Sequence, residues 1–192
     1  MHKNIPSLYI FLDQYNSSVF KNNITNLGII YRNYNNTKNE IELSKIAKAC
    51  KRKRYQLFVS NDIKLVTKYK ANGIYIPSFN KSRKFLNLEN KNIIMLGSAH
   101  NQIQIQNKIL QKCAAIFLAP AFKVNKSKNF LGLYKFNLLS RKNRVKIFAL
   151  GGINEKNLKK LQLFTIQGFG SISLLQKKTG LKKGRFFKEK IF

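Results

Sequence analysis

The stretch FALGGINEKNLKKLQ (148–162) holds the pattern on which the fold depends. An apolar run ends on Gly151-Gly152, and the chain restarts with Leu158 and Leu161 three residues apart. This reads as a buried strand, a tight glycine turn and a helix over 154–162 with one apolar face. The glycine pair has two readings: a compact βα turn, or a backbone cleared of side chains so that a phosphate can rest on its N–H groups.

The same unit recurs outward along the chain. Strand-like runs lie at 7–13, 27–34, 55–61, 73–78, 92–99, 114–120, 146–152 and 168–175. They are continuous rather than alternating, as strands covered on both faces are. Segments 41–50, 62–70 and 102–113 carry helical spacing, and 14–26 and 121–131 read as the longest irregular stretches. Eight strands separated by helices or loops in 192 residues predict one domain, a compact (β/α)8 TIM barrel in the α/β class. An open doubly wound sheet is the alternative architecture.

Composition narrows the function. The chain carries 37 Lys+Arg against 7 Asp+Glu, a net charge of +30. Such a balance suits a polyanionic partner, nucleic acid included. The lysines are nevertheless scattered, and they rise together with Asn, Ile and Phe in a chain without Trp, a compositional pattern. The tail 177–190 is the best local candidate for a nucleic-acid patch, although a closing amphipathic helix accounts for Phe186 and Phe187 equally. Cys50 and Cys113 lack metal-ligand spacing and read as buried thiols. No apolar run reaches the ~20 residues of a membrane span. The N-terminal stretch lacks signal-peptide character, so a cytoplasmic location is expected.

In a barrel, chemistry gathers at the C-terminal ends of the strands. Those ends read Asp13, Arg32, Asn61-Asp62, Pro77-Ser78, Ser98–His100, Pro120, Gly151-Gly152 and Ser171–Ser173. Both aspartates of the chain are among them. Gly151, Gly152, Ile172 and Ser173 form a candidate phosphate site at the last two strands; relief of crowding inside the barrel is the other reading of these glycines. Asp62 beside Asn61 suits a magnesium ion held mostly by substrate phosphates, or caps the next helix. Arg32 suits bidentate phosphate binding or a rim ion pair. His100 is a candidate acid or base, or a packing residue at a helix start. Lys123, Lys126 and Lys128 lie on a loop able to close over an anion.

The ordered motifs resemble the thiamine phosphate synthase and TenI-like family over nearly the whole chain. FALGGIN with GFGSIS is similar to that family's A-I-G-G-I and G-[VI]-A-V-[VI]-S, and APAFKVNKSK to its G-P-V-F-x-T-x-T-K. MLGSAHN resembles G-x-S-x-H, FVSNDIKL resembles I-N-D-R-V-D-L, and IIYRNY resembles Q-L-R-E-K. The resemblance implies condensation of a hydroxymethylpyrimidine diphosphate with a thiazole phosphate, releasing pyrophosphate with magnesium assistance. By position, Arg32, Asn61, Ser98 and Lys128 would serve the pyrophosphate, Asp62 the Mg2+, and Gly152 and Ser173 the thiazole phosphate. The chain departs from the pattern at Ile30, Tyr34, Pro77-Ser78, Asn80, Val124 and Lys126. Pro77-Ser78 is closer to TenI-like proteins, some of which isomerise a thiazole phosphate, but Pro120 stands where those use a histidine.

Overall fold

In a computed structural model, which describes residues 5–21, 23–33, 39–124 and 129–175, the chain closes into an eight-stranded parallel barrel. The strands are β1 (Leu8–Leu12), β2 (Leu27–Tyr31), β3 (Gln56–Ser60), β4 (Gly73–Ile76), β5 (Ile94–Ala99), β6 (Ala115–Leu118), β7 (Lys146–Leu150) and β8 (Gly168–Ser171). Each pairs with its sequence neighbour, and β1 closes onto β8 through Leu8 opposite Phe169 and Ile10 opposite Ser171. The outer layer holds α1 (Ser17–Lys21), α2 (Asn39–Lys53), α3 (Ile63–Lys68), α4 (Gln102–Leu110) and α5 (Gly132–Arg141). Two 3₁₀ helices, Leu86–Lys91 and Leu158–Leu163, take helix positions after β4 and β7.

Because side chains alternate along a strand, every second residue points into the barrel. The inward set is aromatic: Tyr9, Phe11, Phe58, Tyr75, Phe117 and Phe148 pack with Ile30, Leu96 and Leu150. Tyr9 and Phe117 meet edge to face at 5.1 Å, and Phe11 and Tyr75 at 5.3 Å. Such large rings fit only where a facing strand gives up volume. A Cβ on Gly28 would lie 2.3 Å from the Tyr9 ring, and one on Gly170 2.8 Å from Phe11. Glycines of β2 and β8 therefore make room for rings of β1. The outward residues, such as Ile10, Ile29, Val59 and Ile116, form the second core beneath the helices.

The helix expected over 154–162 is instead a turn followed by the 3₁₀ helix. Asn154 and Asn157 divert the backbone: Asn154 Oδ1 accepts from Lys156 N at 3.0 Å and Asn157 N at 3.2 Å, while Asn157 Oδ1 accepts from Asn154 N at 2.9 Å. Local asparagine bonds of this kind compete with helical ones. The three-residue step between buried Leu158 and Leu161 then matches a 3₁₀ turn. Helices α1 and α5 fall within or just after stretches read as irregular. Exposed Leu133, Tyr134 and Leu138 on α5 blur its apolar period. Strands β2 and β8 end earlier than their apolar runs, so Ile172 and Ser173 lie beyond the sheet. Cys50 and Cys113 are buried and unpaired thiols. Among the described residues, no helix is long and apolar enough to cross a membrane.

Candidate active site

The C-terminal strand ends surround one open cavity of about 960 Å³. Arg32, Ser98, His100, Lys123, Gly151, Gly152, Ile172 and Ser173 line it, with Tyr75 and Leu150 from the barrel interior. Among the described residues, no carboxylate lines it. Its fixed charges are therefore cationic, which favours an anionic ligand.

Arg32 follows β2 at an inward position, and its N–H donates to Leu12 O at 2.8 Å. Its guanidinium stands 5.3 Å over the Phe11 ring, so the aromatic interior supports this cation from below. Ser98 is a buried inward residue of β5. His100 follows β5, and its Nδ1 lies 2.8 Å from Ala119 O. A carbonyl only accepts, so Nδ1 carries a hydrogen in this contact, which fixes the ring with Nε2 as its other nitrogen. The helix cap beside it comes from Asn101, whose side chain accepts from Gln104 N at 3.0 Å.

Gly151 and Gly152 have φ of 90° and 72°, a region that strains other residues. They also face the β6–α5 loop: a Cβ on Gly152 would lie 2.6 Å from the carbonyl oxygens of Phe122 and Lys123. Phe122 N donates to Gly151 O at 3.1 Å, and Ala121 N to Leu150 O at 2.8 Å. The glycines thus seat the β6–α5 loop against β7, and their backbone reaches the cavity from that seat. Ser171 points outward, donating to Ile153 O at 3.3 Å and accepting from Leu174 N at 3.2 Å. Ile172 and Ser173 are exposed on the cavity side of this turn.

Asn61 and Asp62 are not among the cavity-lining residues. Asp62 caps α3, its Oδ1 accepting from Leu65 N at 3.1 Å. Asn61 takes a left-handed φ of 59°, and its Oδ1 accepts a short hydrogen bond from Asn80 Nδ2. Among the described residues, no three of His, Cys, Asp and Glu gather as a metal-binding group. One capping carboxylate beside an engaged amide does not fit a resident magnesium ion, which prefers six accessible oxygens. Lys126, Lys128, Tyr34 and the tail 177–190 lie outside the described residues.

Tyr75, Phe79, Val124 and Ile153 also line the cavity, beyond the residues expected there from the strand ends. Alternation along β4 would have turned Tyr75 inward; nothing in the sequence distinguishes Phe79 from a surface aromatic. Asn154 both orders the turn through its side chain and lines the cavity.

Comparison with known proteins agrees with this architecture. A family model described as thiamine monophosphate synthase matches residues 21–175. A thiamine-phosphate synthase of Prochlorococcus marinus is 28% identical over 127 residues, covering 63% of this chain and 36% of the relative. The enzyme of the same name from Prochlorococcus marinus subsp. pastoris is 28% identical over 124 residues, with 63% and 35% covered. The chain thus matches about a third of the length of these curated relatives. Among solved structures, thiamine phosphate pyrophosphorylase from Pyrococcus furiosus superposes with a TM-score of 0.73 at 17% identity, covering 87% of this chain and 85% of that one. The 3-hexulose-6-phosphate synthase from Salmonella typhimurium gives 0.63 at 10% identity, covering 86% and 88%. These two likenesses speak to the barrel fold. With the family model spanning most of the chain and the motifs falling in order around one closed barrel, the chain belongs to the thiamine monophosphate synthase family, which includes the TenI-like proteins.

Proposed function

We propose that this protein is a thiamine phosphate synthase-like transferase, joining a hydroxymethylpyrimidine diphosphate to a thiazole phosphate. The observation that carries this reading is the cavity at the strand ends, free of carboxylates among the described residues, that brings Arg32 and Lys123 together with Gly151-Gly152 and Ser173. Two phosphorylated substrates need two anion subsites within one enclosure, and the cavity spans both sides of the barrel mouth. Arg32 and Ser98 serve the diphosphate, and the backbone of Gly152 with the Ser173 hydroxyl serves the thiazole phosphate. The C–O bond from the pyrimidine methylene to the diphosphate breaks, and the diphosphate departs with the electron pair. The thiazole nitrogen supplies the pair for the new C–N bond. Arg32 stabilises the charge developing on the leaving oxygen, a type of contact usually worth about 10²–10³ in rate. Lys128, assigned to the same anion by the family likeness, belongs to this proposal on sequence grounds alone.

A second reading is a TenI-like protein that binds or isomerises a thiazole phosphate without pyrophosphate chemistry. The placement of Asn61 and Asp62 off the cavity favours it. Incubation with both precursors, with and without magnesium, separates the two. Formation of thiamine phosphate and pyrophosphate, reduced about 100-fold in Arg32→Ala, is the result expected of a synthase. No product with intact thiazole phosphate binding would replace it by the second reading, and failure to bind either precursor would remove both.

A further inference from the structure

The corner between the ends of β3 and β4 is closed by the protein's own donors. Asn61 Oδ1 accepts from Asn80 Nδ2, and Asn80 Oδ1 accepts from Ser82 N at 2.8 Å. The main-chain oxygen of Asn80 accepts from Lys108 Nζ at 2.7 Å and from Gln111 Nε2 at 3.0 Å. Gln111 Nε2 also donates to Ser82 O at 2.7 Å, and Gln111 Oε1 accepts from Lys108 Nζ at 2.9 Å. With Asp62 Oδ1 capping α3, each of these side-chain groups already has a partner within the protein.

Lys108 is the unusual member, a lysine with 0% exposure on α4 in so basic a chain. Its stem runs beneath β5, where a Cβ on Gly97 would lie 2.8 Å from Lys108 Cδ. Gly97 leaves room for this stem. No carboxylate is among its hydrogen-bond partners, and the ionisable group that acts on it is Cys113, whose own burial pushes the thiol up to about 12. Among the described residues, the ammonium's hydrogen-bond partners are amide oxygens, Asn80 O and Gln111 Oε1. Buried charge is tolerated only with good partners, and here those partners fix the loop after β4. Pro77, Ser78 and Phe79 of that loop line the cavity, and the grip falls on the next residues, Asn80 and Ser82.

We propose that this corner is a metal-free latch: Lys108 and Gln111 hold the cavity wall Pro77–Phe79 in place, and phosphorylated ligand binds to the fixed cations of the cavity without a divalent ion. An incoming magnesium ion would have to displace amide hydrogen bonds and approach a buried ammonium, and it dehydrates reluctantly. Lys108 is a positioning residue that acts through the main chain of Asn80. The ligand half of the inference rests on the phosphate reading above; the latch itself does not.

Three measurements test it. In the full chain, Mn2+ titrated to millimolar concentration and followed by electron paramagnetic resonance should remain free. Binding that Asp62→Asn abolishes would overturn the metal-free corner. Inorganic pyrophosphate titrated calorimetrically should bind in EDTA within about threefold of its affinity in magnesium; a tenfold or greater requirement for magnesium would overturn metal-independent binding. Binding in neither buffer would sink the pyrophosphate reading and the ligand half together, while the Mn2+ titration still decides the corner. In Lys108→Met, native-state hydrogen exchange at the Ser82 amide should accelerate about tenfold with the α4 amides unchanged within twofold. Unchanged exchange at Ser82, or equal acceleration throughout α4, would overturn the latch.

Discussion

The two sides of the barrel mouth are built on opposite plans. At β7 and β8, Gly151 and Gly152 bring bare backbone to the cavity beside exposed Ile172 and Ser173. At β3 and β4, asparagine, glutamine and lysine side chains fill the corner with mutual hydrogen bonds. An open backbone with hydroxyl and cationic neighbours is suited to receive an anion. A corner whose donors and acceptors are already matched is suited to hold a wall. The difference teaches that polar residues at strand ends are site candidates only while their hydrogen-bonding capacity is left for a ligand.

The largest expected effect falls on the open side. Gly152→Ala puts a Cβ where two backbone carbonyls stand and forces a strained φ, so the β6–α5 loop must move. Calorimetry with thiazole phosphate should show roughly a 100-fold loss of affinity or more, with circular dichroism confirming that the barrel persists. Retained affinity would break the assignment of that side as the phosphate seat.

The closed side should show itself through pH. Burial pushes the Lys108 ammonium down to about 8 from its ordinary 10.5. Between these values the unfolded chain holds more protons at this site than the folded one, so stability rises as pH increases from about 8 to 10.5. The contribution is about 3 kcal/mol. Urea unfolding of wild type against Lys108→Met across this range should show the rise in wild type only. Equal profiles would mean that the ammonium is not confined in the corner.

Two smaller effects sharpen the contrast. Ser173→Ala should weaken thiazole phosphate about tenfold by removing one hydroxyl donor to a charged ligand, without changing the melting temperature. Asp62→Ala should cost about 1 kcal/mol through the lost α3 cap, read as a lower urea midpoint, with ligand affinity unchanged within twofold. A drop in affinity there would move Asp62 from structure to site.

Much of the fold was legible because its signal is local. Continuous apolar runs such as YQLFV and NIIML mark doubly covered strands, and eight of them in order favour a barrel over an open doubly wound sheet; the pairing of β1 with β8 closes it. The strand ends were legible for the same reason, and with them Arg32, Ser98, Gly152 and Ser173 as cavity residues. The 3₁₀ helix at Leu158–Leu163 was hidden by a helical-looking apolar step, since the reciprocal asparagine bonds that divert the chain leave no mark on apolar spacing. Helix α5 was hidden by apolar residues on its exposed face.

The eight strands, the strand ends that border the cavity and the glycine turn at β7 were set by the sequence itself, because period, order and backbone permissiveness are properties of neighbouring residues. Only the tertiary structure decided that Asp62 caps a helix while Arg32 reaches the cavity, and that Lys108 is buried rather than solvated. Those outcomes depend on which hydrogen-bond partners and which ring or strand lie within a few ångströms. Residues far apart in the chain, such as Asn61, Asn80 and Lys108, acquire those relations only when the barrel closes.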